Sequence, residues 1–208
     1  MRFFKGLLIT ILILTAIFVG GGFLLPGEVH VERSTVIQAD ASRIFPYLND
    51  FHRFNEWSPW AQRDPNTRYT FSGPDAGRGA KMSWESDHEE VGSGSQEIVE
   101  STPNDRVVTA LEFGQMGTAR AAFRLQPDDS GTKVTWSLDT SLPANPIARW
   151  MGLFFDRFIG PDYEEGLARL KATVEGTAAQ ASDRKVGTAF RINLMRKTNS
   201  GNAASDSG

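Results

Sequence analysis

Thr118-Ala-Arg-Ala-Ala-Phe-Arg-Leu-Gln-Pro-Asp-Asp-Ser-Gly-Thr-Lys-Val-Thr-Trp-Ser-Leu-Asp-Thr140 contains two strands and the turn that joins them. Ala119, Ala121, Phe123 and Leu125 share one parity and alternate with Arg120 and Arg124. Val134, Trp136 and Leu138 alternate in the same way with Lys133, Thr135, Ser137 and Asp139. Successive side chains of a strand point to opposite faces, so a period of two makes a ribbon with one apolar and one wet face. Pro127-Asp-Asp-Ser-Gly131 supplies the turn chemistry between the halves.

The pattern extends upstream. Met82 and Trp84 share a face opposite Lys81, Ser83 and Glu85, and Val107, Thr109, Leu111 and Phe113 share another. Six strand-like runs result, near 68–72, 80–85, 89–101, 106–113, 118–126 and 132–140. Gly73-Pro74, Pro103-Asn104 and the segment 114–117 punctuate them. Loops this short make sequential strands pair antiparallel. Further upstream, Val29, Val31, Thr35 and Ile37 mark a first strand. Asp40 suits an N-cap for a helix over 41–49 that faces Ile44, Phe45 and Leu48 inward. A second short helix is expected over 51–56, and Pro59 and Pro65 make Trp57-Ser-Pro-Trp60 read as a loop.

Downstream, Asn145-Pro146 opens the longest helical stretch. Ile147, Trp150, Met151, Phe154, Phe155, Phe158 and Ile159 recur at helical spacing as a broad apolar stripe. Gly160-Pro161 is expected to break or kink the helix, and Tyr163, Leu167, Leu170 and Val174 continue a face beyond it. A sheet with one apolar face must be covered, and this helix is the one element large enough. The expected class is therefore α+β: a seven-stranded antiparallel sheet curled around a long C-terminal helix.

Residues 6–25 carry no charged side chain and, at about 1.5 Å per residue, would span roughly 30 Å as a helix. Arg2 and Lys5 precede the run, which favours a cytoplasmic N-terminus and an extracytoplasmic domain. The run is longer than the apolar core of a signal peptide, so an uncleaved single-pass anchor over 1–27 is the leading expectation, with a signal cleaved after Gly20-Gly21-Gly22 as the alternative. The domain then occupies 28–176, with 23 acidic and 15 basic side chains, a balance that disfavours nucleic acid. Residues 177–208 carry five basic side chains among Ala, Ser, Gly, Thr and Asn and read as a disordered tail. Two readings of the tail stand: a solvated segment, or one whose basic residues touch anionic lipid. The chain has no cysteine, which excludes both disulfides and a lipidated cysteine anchor.

Four stretches carry a family resemblance: Glu32-Arg-Ser-Thr-Val-Ile followed by Ala39-Asp-Ala-Ser-Arg-Ile-Phe45, Phe54-Asn-Glu-Trp-Ser-Pro-Trp60, Gly77-Arg-Gly-Ala-Lys-Met-Ser-Trp84, and Gly160-Pro-Asp-Tyr-Glu-Glu-Gly-Leu-Ala-Arg-Leu-Lys171. Over about 28–175 the chain resembles the START-like helix-grip superfamily SRPBCC, in particular its polyketide cyclase/dehydrase and lipid-transport type. The resemblance implies a ligand cavity between the sheet and the long helix. It does not name a function, because the same fold hosts carriers, cyclases and cochaperone-like domains.

On that basis the expected ligand-binding residues are Trp57, Trp60, Met82, Trp84, Phe113, Phe123, Trp136, Trp150, Phe154, Phe158 and Tyr163. Each has a competing role as plain core packing, and Gly166 reads as a point of close packing. The three histidines, His30, His52 and His88, lack metal-ligand spacing, and Glu85, Asp87, Glu89 and Glu90 read as a solvated turn. No nucleophile motif and no phosphate-binding glycine loop appears, so no catalytic residue, metal or cofactor is assigned. The leading reading is a membrane-anchored binder of a small hydrophobic, lipid-like ligand. The alternatives are a cyclase/dehydratase-like enzyme resting on Arg33, His52 or Tyr163, and a cochaperone-like interaction module.

Overall fold

The computed structural model describes residues 2–176, with Met1 and 177–208 outside the description, so the tail reading falls on residues not described. Helix α1 (Arg2–Leu24) leads almost directly into strand β1 (Glu28–Ile37). Helices α2 (Ala41–Leu48), α3 (Phe51–Trp57) and α4 (Pro59–Arg63) follow. Then come β2 (Arg68–Ser72), β3 (Lys81–Glu85), β4 (Ser93–Thr102), β5 (Arg106–Glu112), β6 (Thr118–Asp128) and β7 (Gly131–Ser141). Helix α5 (Pro146–Gly152) and a helix over 155–176, here α6, complete the described residues.

The seven strands form one sheet in the order β1-β7-β6-β5-β4-β3-β2, with every pair antiparallel. Neighbours in sequence pair locally, while β1 crosses to the far edge and pairs along its whole length with β7, from Glu28 opposite Ser141 to Ile37 opposite Thr132. The period-two reading holds in the burial. Ala119, Ala121, Phe123 and Leu125 are buried in β6, and Val134, Trp136 and Leu138 in β7. Helix α6 lies against this face through Tyr163, Leu167, Leu170 and Val174, all at most 2% exposed. Deep burial of each of the three aliphatic side chains contributes about 1.5–3 kcal/mol, and with the Tyr163 ring they fasten helix to sheet.

Three expectations about the helices change. Trp57-Ser-Pro-Trp60 is not an open loop: Pro59, whose fixed φ suits a first helical turn, starts α4. Asp40 takes the N-cap position of α2 without a side-chain bond, whereas Asp50 caps α3 by accepting from the His52 amide at 2.8 Å.

The C-terminal helix is interrupted at 153–154 and runs unbroken through Gly160-Pro161. Gly160 has a packing role instead. The Arg33 guanidinium from β1 crosses the helix there, and a Cβ on residue 160 would sit 2.1 Å from Arg33 Nη2. Beyond the glycine, Arg33 meets Asp156 through two hydrogen bonds of 2.8 and 3.0 Å and Glu164 through one of 2.7 Å. These bonds hold the Asp156 carboxyl below its ordinary value and push the guanidinium further up.

Candidate functional site

A cavity of about 110 Å³ lies between the sheet's apolar face, α3–α4 and α6. The strands supply Met82 and Trp84 from β3, Gln96 from β4, Thr109 and Leu111 from β5, Phe123 from β6 and Trp136 from β7. Asn55, Ser58 and Trp60 close it from the helices, and Tyr163 of α6 reaches it from above. A larger recess of about 510 Å³ lies elsewhere, but Glu28, Glu112, Arg120 and Asp139 line it, which suits water rather than an apolar ligand.

Trp136 is the centre of the aromatic wall. It stacks on Tyr163 with centroids 3.8 Å apart and planes 12° from parallel, and it meets Phe123 at 4.9 Å and Trp60 at 5.8 Å. Such close stacking needs α6 to approach the sheet without a side chain between. Gly166 permits this, since a Cβ there would be 2.8 Å from Trp136 Cζ3. Trp84 meets Phe113 edge-on at 5.9 Å, and its indole N–H donates to the Val91 carbonyl at 3.3 Å, which ties the β3–β4 hairpin to the cavity rim.

The polar groups of the site are few. Trp136 is 2% exposed, yet its Nε1–H has no hydrogen-bond partner among the described residues. A buried donor left unpaired costs about 1–3 kcal/mol, and because this atom is closed off from the open space of the cavity, an acceptor reaches it only if the wall moves. Gln96 and Thr109 are buried polar residues on neighbouring strands in the same lining. Asn55 Nδ2 donates to Met82 Sδ at 3.3 Å. Tyr69 and Tyr163 are the ionisable side chains of the lining, and burial pushes both phenols up, so each stays protonated at neutral pH. No carboxylate or imidazole lines this cavity among the described residues, and no cluster of three or more metal-ligating side chains occurs among them.

The family model described as polyketide cyclase / dehydrase and lipid transport matches residues 28–175. The chain belongs to this family.

Solved structures agree on the fold. A Staphylococcus aureus protein of unknown function is 8% identical with a TM-score of 0.58, covering 73% of this chain and 96% of that one. The di-domain ARO/CYC StfQ from the steffimycin biosynthetic pathway is 13% identical with a TM-score of 0.55, over 73% of this chain and 52% of that one. A Chromobacterium violaceum protein is 18% identical with a TM-score of 0.50, over 72% and 99%. Identities this low show shared architecture and nothing finer. No curated protein matches the chain. Family and fold together make residues 28–175 a ligand-binding type of SRPBCC domain.

Within this polyketide cyclase/dehydrase and lipid-transport domain, seven of the eleven residues expected at the site line the cavity: Trp60, Met82, Trp84, Phe113, Phe123, Trp136 and Tyr163. The other four do not. Trp57 is fully buried behind the wall, 5.4 Å from Trp136, with its indole N–H donating to the Tyr47 carbonyl at 3.0 Å. Trp150 faces α1, where it stacks on Phe18 at 5.6 Å. Phe154 and Phe158 are 49% and 60% exposed. The turn at 153–154 separates α5 from α6 and breaks the single stripe that uniform helical spacing implied.

Of the three titratable candidates, Tyr163 alone reaches the cavity. Arg33 is held by its two acids, and His52 stacks on Phe71 at 3.8 Å in a separate recess. Gln96, Thr109, Asn55 and Ser58 were missed at the sequence level as site residues. The parity of β5 already puts Thr109 on the inner face, and that was the available signal.

Proposed function

We propose that this domain binds a small hydrophobic ligand bearing a hydrogen-bond acceptor, and that α1 anchors it to a membrane so that the ligand is drawn from lipid. The observation that carries the reading is the aromatic cavity between sheet and helix, walled by Trp60, Trp84, Phe123, Trp136 and Tyr163, with Asn55, Ser58, Gln96 and Thr109 as its polar groups. Pockets of this kind are mostly apolar with a few polar groups that fix orientation. Helix α1 supports the second half. From Phe3 to Leu24 it is long and apolar enough to cross a bilayer, and almost none of it is buried. Arg2 and Lys5 at its N-terminal end favour a cytoplasmic N-terminus and an extracytoplasmic domain.

The cavity volume of about 110 Å³ is below the roughly 300 Å³ at which drug-sized ligand pockets begin. A lipid-like ligand therefore enters by displacing rim side chains, with Trp60 and Trp84 the ones in position to swing. The test is native mass spectrometry of the full chain released from lipid nanodiscs, paired with displacement of a fluorescent fatty-acid probe. Retained lipid that the probe displaces, with weaker retention in Trp136→Phe, is the expected result. A domain that carries no lipid and ignores the probe refutes the reading.

A further inference from the structure

Helix α5 has no buried residue, although it is built largely of apolar side chains. Ile147 is 67% exposed, Met151 51%, Leu153 55%, Phe154 49% and Phe158 60%. Five large apolar side chains are thus uncovered within twelve residues, where a soluble surface scatters such residues singly.

Their surroundings say what covers them. Helix α5 packs on the last two turns of α1. Trp150 stacks on Phe18 and donates to its carbonyl at 3.0 Å, Arg149 donates to the Leu25 carbonyl at 2.6 Å, and a Cβ at Gly22 would meet Pro146 Cβ at 2.6 Å. The exposed face of α5 is therefore continuous with the apolar surface of α1. Phe18 precedes the end of α1 at Leu24 by six residues, which at 1.5 Å each is about 9 Å along the helix axis. Amphipathic elements at a bilayer surface lie about 5–10 Å deep, and Trp favours that boundary.

The cavity sits at the same end of the strands. A row of register partners runs from Val29 near the α1 junction through Thr140, Ala119, Leu111 and Gln96 to Met82, and the last three of these line the cavity.

We infer that α5 and the segment through Phe158 are a second membrane contact, a shallow lipid-facing ledge set in the outer leaflet beside α1. This rests on α1 being a membrane anchor. The occupant of the ledge is the acyl and glycerol region of a phospholipid bilayer. Two contacts, one spanning and one interfacial, fix the rotation of the domain about α1 and hold the cavity end of its sheet toward the lipid.

The absence of cysteine allows a clean test with the full-length chain. Single variants Ile13→Cys, Ile147→Cys, Phe158→Cys and Arg124→Cys are labelled with an environment-sensitive fluorophore and reconstituted in phosphatidylcholine vesicles. Those vesicles also contain lipids carrying a quencher at either a shallow or a deep acyl position. The expected result is deep quenching at 13, shallow quenching with a blue-shifted emission at 147 and 158, and neither at 124 on the wet face. Quenching at 13 with aqueous behaviour at 147 and 158 overturns the inference and leaves the anchor standing. Aqueous behaviour at all four sites overturns both. A blue shift at 158 without lipid quenching, growing with protein density, assigns the face to a second copy of the chain and also overturns it.

Discussion

Replacing Gly166 by alanine is the sharpest test of how the cavity is built. The added methyl carbon would lie 2.8 Å from Trp136 Cζ3, about 0.6 Å inside the 3.4 Å at which ordinary contact begins, and 3.2 Å from Pro59 Cδ. Trp136 has little freedom to retreat, because it is 2% exposed and pinned between Tyr163 and Phe123. Overpacking of this kind costs about 1–3 kcal/mol. It is opposed by the gain of about 1 kcal/mol that alanine brings to a helix interior over glycine. The net expectation is a loss of up to about 2 kcal/mol, together with weaker probe binding as the indole is pushed into the cavity. Urea unfolding of the detergent-solubilised chain, followed by near-ultraviolet circular dichroism, measures the first quantity. The double variant Gly166→Ala/Trp136→Phe removes the clashing ring edge and should recover at least about 0.5 kcal/mol relative to additivity. A Gly166→Ala protein stabilised by about 1 kcal/mol, as propensity alone dictates, would refute the close contact of α6 with the sheet.

Three further outcomes follow from the same structure. Trp60→Ala takes one wall from the cavity and should speed probe association with little loss of stability, whereas an unchanged association rate in stopped-flow would place the entrance elsewhere. Trp57→Ala, at a fully buried position whose indole bonds the Tyr47 carbonyl, should cost about 3–5 kcal/mol and be read as a large fall in the urea midpoint. Asp156 is held below its ordinary pKa by Arg33, so its contribution is complete at neutral pH and disappears as the pH falls through the depressed value. Arg33→Met should therefore lower stability at pH 7 and flatten its acid dependence below about pH 4, and parallel wild-type and variant curves there would contradict the pairing.

How much of this was readable beforehand differs by element. The sheet was legible because a strand's side chains alternate by geometry alone. The parity of Phe123, Trp136 and Met82 thus placed them on the inner face before any partner strand was known. The face of α6 was equally legible at Tyr163, Leu167, Leu170 and Val174, because one unbroken helix keeps its phase. The stretch before it was not. Trp150, Phe154 and Phe158 have helical spacing in sequence, but a turn at 153–154 intervenes and neighbouring α1 competes for the side chains of α5.

The family resemblance, the apolar face of the sheet and a helix long enough to cross a bilayer are legible in residue order, because a motif, an alternation and an apolar run are each local in the chain. The pairing of β1 with β7, the meeting of Gln96 and Thr109 at one cavity, a Trp136 N–H with no partner among the described residues, and the passage of Arg33 across the helix at Gly160 come from packing. Those facts depend on distances between residues far apart in the chain. Such distances are set by how closely helix and sheet pack, which residue periodicity does not encode.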